Sequence, residues 1–125
     1  MTSQKASNIK LKHVMGGEGI RDVDPTEVKS HQSQITLIDV RRPDEFVGEL
    51  GHISGVTKVT LETELEAYLA NASDSLRNST VVFVCRSGGR STRAAIAAVN
   101  NGFTDVYNMM GGMMYWNQLG LPIKK

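Results

Sequence analysis

Short β-branched and apolar runs alternate with helical segments along this chain, and that alternation limits the fold more than any other feature. ITLIDV (35–40), VTKVT (56–60), STVVFV (79–84) and DVYNM (105–109) read as strands, with STVVFV the strongest. The runs between them are long enough for crossover connections. Strands joined by crossovers pair in parallel, so the chain is expected to be an α/β protein with helices on both faces of a parallel sheet. A chain of 125 residues suits one such domain, with an expected tail over residues 1–18 and a single domain over 19–125.

Helix boundaries are marked locally. Asp24-Pro25-Thr26-Glu27 combines an N-cap, a proline at the first helical position and a glutamate placed for a capping box. Leu61, Leu65, Tyr68 and Leu69 are spaced to line one helix face. STRAAIAAVNNG (91–102) reads as a helix capped by Ser91 and stopped at Gly102, and Met113 to Leu119 as a last short helix.

Charge and apolar content exclude several classes. The net charge is +1, so no global field favours nucleic acid or an anionic membrane. No stretch has the 18 or so apolar residues of a membrane span, and the first residues lack the apolar segment of a signal peptide. With one cysteine there is no internal disulfide, which fits a reducing compartment; the expected location is the cytoplasm. Three scattered histidines and one cysteine do not form a zinc pattern, so no metal is expected.

That cysteine is where chemistry is expected. Cys85 follows the strongest strand and precedes Arg-Ser-Gly-Gly-Arg-Ser. In parallel sheets ligands sit beyond the carboxyl ends of the strands. A thiol is a poor nucleophile until it ionises, and at the ~8.5 of an ordinary cysteine only about 3% is ionised at neutral pH. The loop offers three sources of anion stabilisation: the positive end of the following helix, the charges of Arg86 and Arg90, and amides curled by Gly88 and Gly89 into a nest. A core cysteine has no use for those neighbours. Phosphoryl-transfer loops commonly hold five residues between cysteine and arginine; here four separate Cys85 from Arg90. The tighter ring suits a single terminal sulfur better than the three equatorial oxygens of a phosphate, so the spacing favours sulfur transfer.

Four segments, LIDVRRPDEF (37–46), GHISGV (51–56), CRSGGRS (85–91) and GFTDVYNMMGGMMYWNQLGLP (102–122), resemble in order the motifs of the single-domain rhodanese, or thiosulfate sulfurtransferase, family. The likeness covers roughly Ile20 to Ile123. It implies a rhodanese-like sheet of five parallel strands, Cys85 as nucleophile and carrier of a persulfide, and a loop of Arg86, Ser87, Gly88, Gly89, Arg90 and Ser91 that binds the transferred sulfur and the donor anion. It implies a thiosulfate or persulfide donor, a cyanide or thiol acceptor, a sulfur-relay protein as a candidate partner, and no cofactor. Ser54 and Val56 stand where the family usually has proline and alanine, a change to a structural turn. Two rivals remain: a non-catalytic sulfur-delivery or regulatory binding module, and a phosphatase or arsenate reductase on the same scaffold.

Other residues have plainer readings. Asp39 and Arg41 are expected to form a buried ion pair supporting the loop, and Arg42 and Glu45 to lie on the surface or behind the site. His52 sits in a structural context rather than as a base. Met109, Met110, Met113 and Met114 are expected to be adaptable packing, with Met114 and Tyr115 near the mouth of the site. Trp116 reads as a core anchor and Lys124-Lys125 as a solvated end.

Overall fold

The computed structural model of the protein describes residues 9–125. In chain order the elements are β1 (Val14–Met15), β2 (Arg21–Val23), α1 (Pro25–Ser30), β3 (Thr36–Asp39), α2 (Pro43–Phe46), β4 (Thr57–Lys58), α3 (Leu65–Ala70), α4 (Asp74–Arg77), β5 (Val81–Val84), α5 (Gly89–Asn100), β6 (Val106–Met109) and α6 (Gly112–Gln118). The strands form one sheet in the order β1-β2-β6-β5-β3-β4. Five of them, β2 to β4 across that order, are parallel, and β1 adds a sixth, antiparallel strand at the edge.

The centre of the sheet follows from the apolar runs. β5 is buried at all four residues and β6 likewise, as strands covered on both faces must be. The pleat sends alternate residues to opposite sides. Leu37, Val82, Val84, Tyr107 and Met109 enter one core, with Val28 of α1 and Met113 and Trp116 of α6. Ile38, Val81, Phe83 and Val106 enter the other, with Leu65 and Leu69 of α3 and Ala94, Ala95 and Ala98 of α5. The alanines keep α5 close to the sheet, and its first turn meets the carboxyl end of β5.

Several local expectations change. The helix after the cysteine loop starts at Gly89, not Ser91: Gly88, at φ +116°, turns the chain into the helix two residues earlier. Ser91 therefore lies inside the first turn and is not a cap. At α1, Asp24 does cap, accepting the Thr26 N–H at 2.8 Å, but Glu27 closes no capping box; its carboxylate instead accepts the Lys12 N–H at 3.0 Å. Leu61 precedes α3, in a turn. Lys124 and Lys125 are exposed as expected, though the Lys124 backbone exchanges two 2.8 Å hydrogen bonds with His52.

The tail expected over residues 1–18 lies partly outside the described residues, over 1–8. From Ile9 onward the chain is held. The Ile9 N–H reaches Thr80 Oγ1 at 3.0 Å, and the Leu11 N–H reaches the Tyr107 hydroxyl at 3.3 Å. Leu11 is fully buried in the core that α1 and α6 cover. One leucine among lysines is too weak a pattern to announce this in sequence. Leu11→Ala is expected to cost about 2–5 kcal/mol in urea unfolding, the range for truncating a buried leucine; a segment that merely brushed the surface would show almost no loss.

Candidate active site

β5 ends at Val84, and Cys85 is the next residue. Its side chain points into the α5 side of the core and is 1% exposed. The sulfur is not in a purely apolar place. The Gly88 N–H donates to Sγ at 3.0 Å, and Ser91 Oγ stands 3.2 Å from it. Both groups belong to the start of α5, whose positive end thus faces the sulfur.

The loop keeps this shape through its other side. The Met113 N–H bonds the Cys85 carbonyl at 2.9 Å and the Met114 N–H bonds the Arg86 carbonyl at 3.0 Å. The approach is backbone against backbone. Gly112 has φ +59°, and a Cβ there would lie 2.5 Å from the carbonyl oxygens of Cys85 and Arg86. That contact explains the second glycine of the Gly111-Gly112 pair.

The two arginines of the loop differ. Arg86 is exposed, and none of the described ion pairs involves it. Arg90 spends its forked guanidinium on Glu45, with bonds of 2.6 and 2.8 Å to the two carboxylate oxygens. Of the two places expected for Glu45, it takes the one behind the site: it also accepts the Arg42 N–H at 3.1 Å and caps α2. The Arg90 bonds hold the Glu45 carboxyl at about 2, against burial, which pushes it up. The same bonds raise Arg90 above the usual arginine range.

Asp39 and Arg41 lie behind the loop, both almost fully buried. Arg41 Nη2 meets Asp39 Oδ2 at 2.8 Å and the Gly51 carbonyl at 2.8 Å, while Nη1 reaches the Glu45 carbonyl at 3.2 Å. The pair joins the end of β3 to α2 and to the turn before His52. His52 stacks on Phe46 at 3.9 Å and its Nδ1 contacts the Phe46 carbonyl at 3.0 Å. A cavity of about 150 Å³ opens beside the loop, lined by Arg41, Glu45, Gly48, Glu49, Leu50 and Arg86. Ser87 and Gly89 are exposed and Gly88 is half-buried. Met114 is 39% exposed at the start of α6, Tyr115 is half-buried over Gly111, and Trp116 is buried with its Nε1 donating to the Pro122 carbonyl.

Two polar residues of the site, Asn108 and Asp22, were not expected. Asn108 of β6 is buried on the same sheet face as Phe83, where the pleat alternation calls for an apolar residue. Its Oδ1 accepts the Ser91 hydroxyl, and its Nδ2 donates to Asp22 Oδ1 of β2 at 2.9 Å. The available signal was a polar residue at an inward position of DVYNM.

Residues 24–119 match the family model of the rhodanese-like domain. The chain belongs to the rhodanese-like family. Relatives of this rhodanese-like domain include a Bacillus subtilis protein, YqhL, 35% identical over 91 residues, covering 72% of this chain and 67% of that protein. The thiosulfate sulfurtransferase GlpE of Vibrio cholerae is 30% identical over 103 residues, covering 82% and 92%. Among solved structures, a Rhodopseudomonas palustris protein described as a possible tyrosine phosphatase superposes with a TM-score of 0.74 at 28% identity, covering 84% of this chain and 85% of that one. Among the described residues of the domain, no group of three or more histidine, cysteine, aspartate or glutamate side chains gathers to hold a metal, and no helix is long and apolar enough to cross a membrane.

The Glu45–Arg90 pair has a pH signature. Glu45 sits at about 2 in the folded protein against 4.5 ordinarily, so its stabilising contribution is complete above 4.5 and is lost as pH falls toward 2. Melting temperatures followed down from pH 7 are expected to fall through that window, and Glu45→Gln is expected to lower the neutral-pH value while flattening the acid limb.

Proposed function

We propose that this chain is a sulfurtransferase in which Cys85 carries a sulfane sulfur as a persulfide. The observation that carries this reading is the sulfur's setting: a lone thiol at a strand end, met by the Gly88 N–H at 3.0 Å at the start of a twelve-residue helix. That setting aims a backbone donor and the positive end of a helix at the sulfur. The thiosulfate sulfurtransferase activity named for the Vibrio cholerae relative agrees with it.

The reaction balances as two displacements. The Cys85 thiolate attacks the outer sulfur of thiosulfate or of another persulfide. A Cys85 S–S bond forms, the donor's S–S bond breaks, and sulfite or a thiolate leaves with its electron pair. An acceptor, cyanide or a thiolate, then attacks the terminal sulfur. Thiocyanate or a new persulfide departs and the Cys85 thiolate returns. Arg86, exposed beside the loop, meets the donor anion. Ser87, Gly88, Gly89 and Ser91 shape the cradle, and the Asp39–Arg41 pair supports it from behind. Arg90 acts through Glu45, holding the start of α5 against α2. The work needs no cofactor, and we place it in the cytoplasm, with a sulfur-relay protein as a candidate acceptor.

The name attached to the Rhodopseudomonas palustris structure raises phosphoryl transfer. The loop argues against that chemistry here. Four residues separate Cys85 from Arg90, not the five common to phosphoryl-transfer loops, and two of the five Arg90 N–H donors are spent on Glu45.

Incubation with thiosulfate followed by intact mass is expected to show a gain of one sulfur atom that cyanide removes and that Cys85→Ser abolishes. Turnover of an aryl phosphate without that gain would overturn the reading. Arg86→Ala is expected to raise the KM for thiosulfate about tenfold, as for loss of one charge-assisted contact, with the melting temperature nearly unchanged.

A further inference from the structure

Ser91 has one hydroxyl proton and three neighbours able to accept it: Cys85 Sγ at 3.2 Å, the Gly88 carbonyl at 3.2 Å, and Asn108 Oδ1, which stands nearest. The orientation of Asn108 decides the competition. Its other amide atom faces the Asp22 carboxylate at 2.9 Å, and a carboxylate only accepts, so that atom is the NH2 group. The carbonyl oxygen therefore faces Ser91 and can only accept. Asp22 is held in turn, in register with Asn108 across β2 and β6, with its carboxylate over Gly16: a Cβ there would lie 2.2 Å from Asp22 Oδ2.

With its proton given to Asn108, Ser91 turns a lone pair toward Cys85. A lone pair can accept from a thiol S–H but cannot stabilise a thiolate. When the sulfur ionises, the Ser91 hydroxyl must rotate and give its proton to Sγ, leaving Asn108 without a donor.

We infer that Asn108, anchored by Asp22, is a positioning residue that competes with the Cys85 sulfur for the Ser91 proton and so sets how readily the thiol becomes a nucleophile. The relay has three members in series. Asp22 fixes which face of the amide Asn108 presents, Asn108 fixes where the Ser91 proton lies, and of these three only Ser91 contacts the sulfur. For its consequence the inference rests on Cys85 being the sulfur carrier, but the thiol's reactivity can be measured without sulfur transfer.

The test is the rate of iodoacetamide alkylation of Cys85 at pH 7, with the ultraviolet thiolate absorbance as a second readout. Asn108→Leu removes the competing carbonyl at similar volume. It is expected to raise the rate and the thiolate band about fivefold, the effect of one hydrogen bond returned to the sulfur. Asp22→Ala frees the amide to turn its NH2 toward Ser91 and is expected to move both readouts in the same direction. Both gains are expected to vanish in a Ser91→Ala background, where no proton is left to redirect. An Asn108→Leu rate equal to or below that of the parent overturns the inference, and so does a gain that survives in Ser91→Ala. Should Asn108→Leu lose its near-ultraviolet circular dichroism, Asp22→Ala with and without Ser91 decides the matter. If alkylation follows the expected pattern while no variant or parent takes sulfur from thiosulfate, the proposed function fails and the relay stands. If sulfur transfer holds and alkylation is indifferent to Asn108, the relay fails alone.

Discussion

Two backbone bonds, from the Met113 N–H to the Cys85 carbonyl at 2.9 Å and from the Met114 N–H to the Arg86 carbonyl at 3.0 Å, govern the geometry on which the site depends. A peptide group held by its carbonyl cannot rotate freely, so the residues after the cysteine are held in the turn that leads to Gly88. Gly88 then takes φ +116°, which a side chain would resist, and its N–H meets the sulfur. The bonds need two chain segments separated by some twenty-five residues to touch through bare backbone. Gly112 permits that contact, because any Cβ would strike the carbonyls it serves. The helix α6 is thus part of the loop's construction, although the cysteine and the glycine pair belong to different motifs of the chain.

What the sequence disclosed and what it withheld divide along the range of the interactions. The central strands were readable because full burial in a parallel sheet demands unbroken apolar runs, and STVVFV and ITLIDV supply them locally. The cysteine loop was readable because arginine and glycine after a buried strand conflict with any packing role. β1 and β2 were not readable: they are two and three residues long, and β2 carries Arg21 and Asp22, whose polar side chains break the alternation. The start of α5 was misplaced by two residues because a serine before an alanine run looks like a cap. The conformation of Gly88, imposed by the contact with α6, starts the helix earlier and turns Ser91 inward. The Glu45–Arg90 pairing and the role of Asn108 were hidden for one reason: each rests on a partner distant in sequence, Arg90 in one case and Ser91 in the other.

The support beneath the site is polar, and burial makes that consequential. Arg41 is 1% exposed, and its bonds to Asp39, Gly51 and Glu45 occupy the guanidinium on several sides. A buried ion pair of this kind adds little net stability over a well-packed apolar substitute, yet removing one partner leaves an uncompensated charge. Its effect is geometric. It fixes the end of β3, the start of α2 and the turn at Gly51 to one another, and α2 carries Glu45 to Arg90. The position of α5 relative to α2 therefore depends on a chain of charge pairs that starts at Asp39.

That chain divides the labour between the loop's two arginines. Arg90 is paired with Glu45 before any ligand arrives, so it holds the helix start. Arg86 keeps its charge and its exposure. A small dianion arriving at the loop would meet one available guanidinium and the amides of the helix start, which suits a charge that leaves with the departing group and a single sulfur that stays behind. A tetrahedral phosphate requires several oxygens to be held at once through the transition state. With Arg90 bound to Glu45, two of its five N–H donors are already committed. The same pair that steadies the cysteine loop thereby leaves less of Arg90 for the rival chemistry of the scaffold.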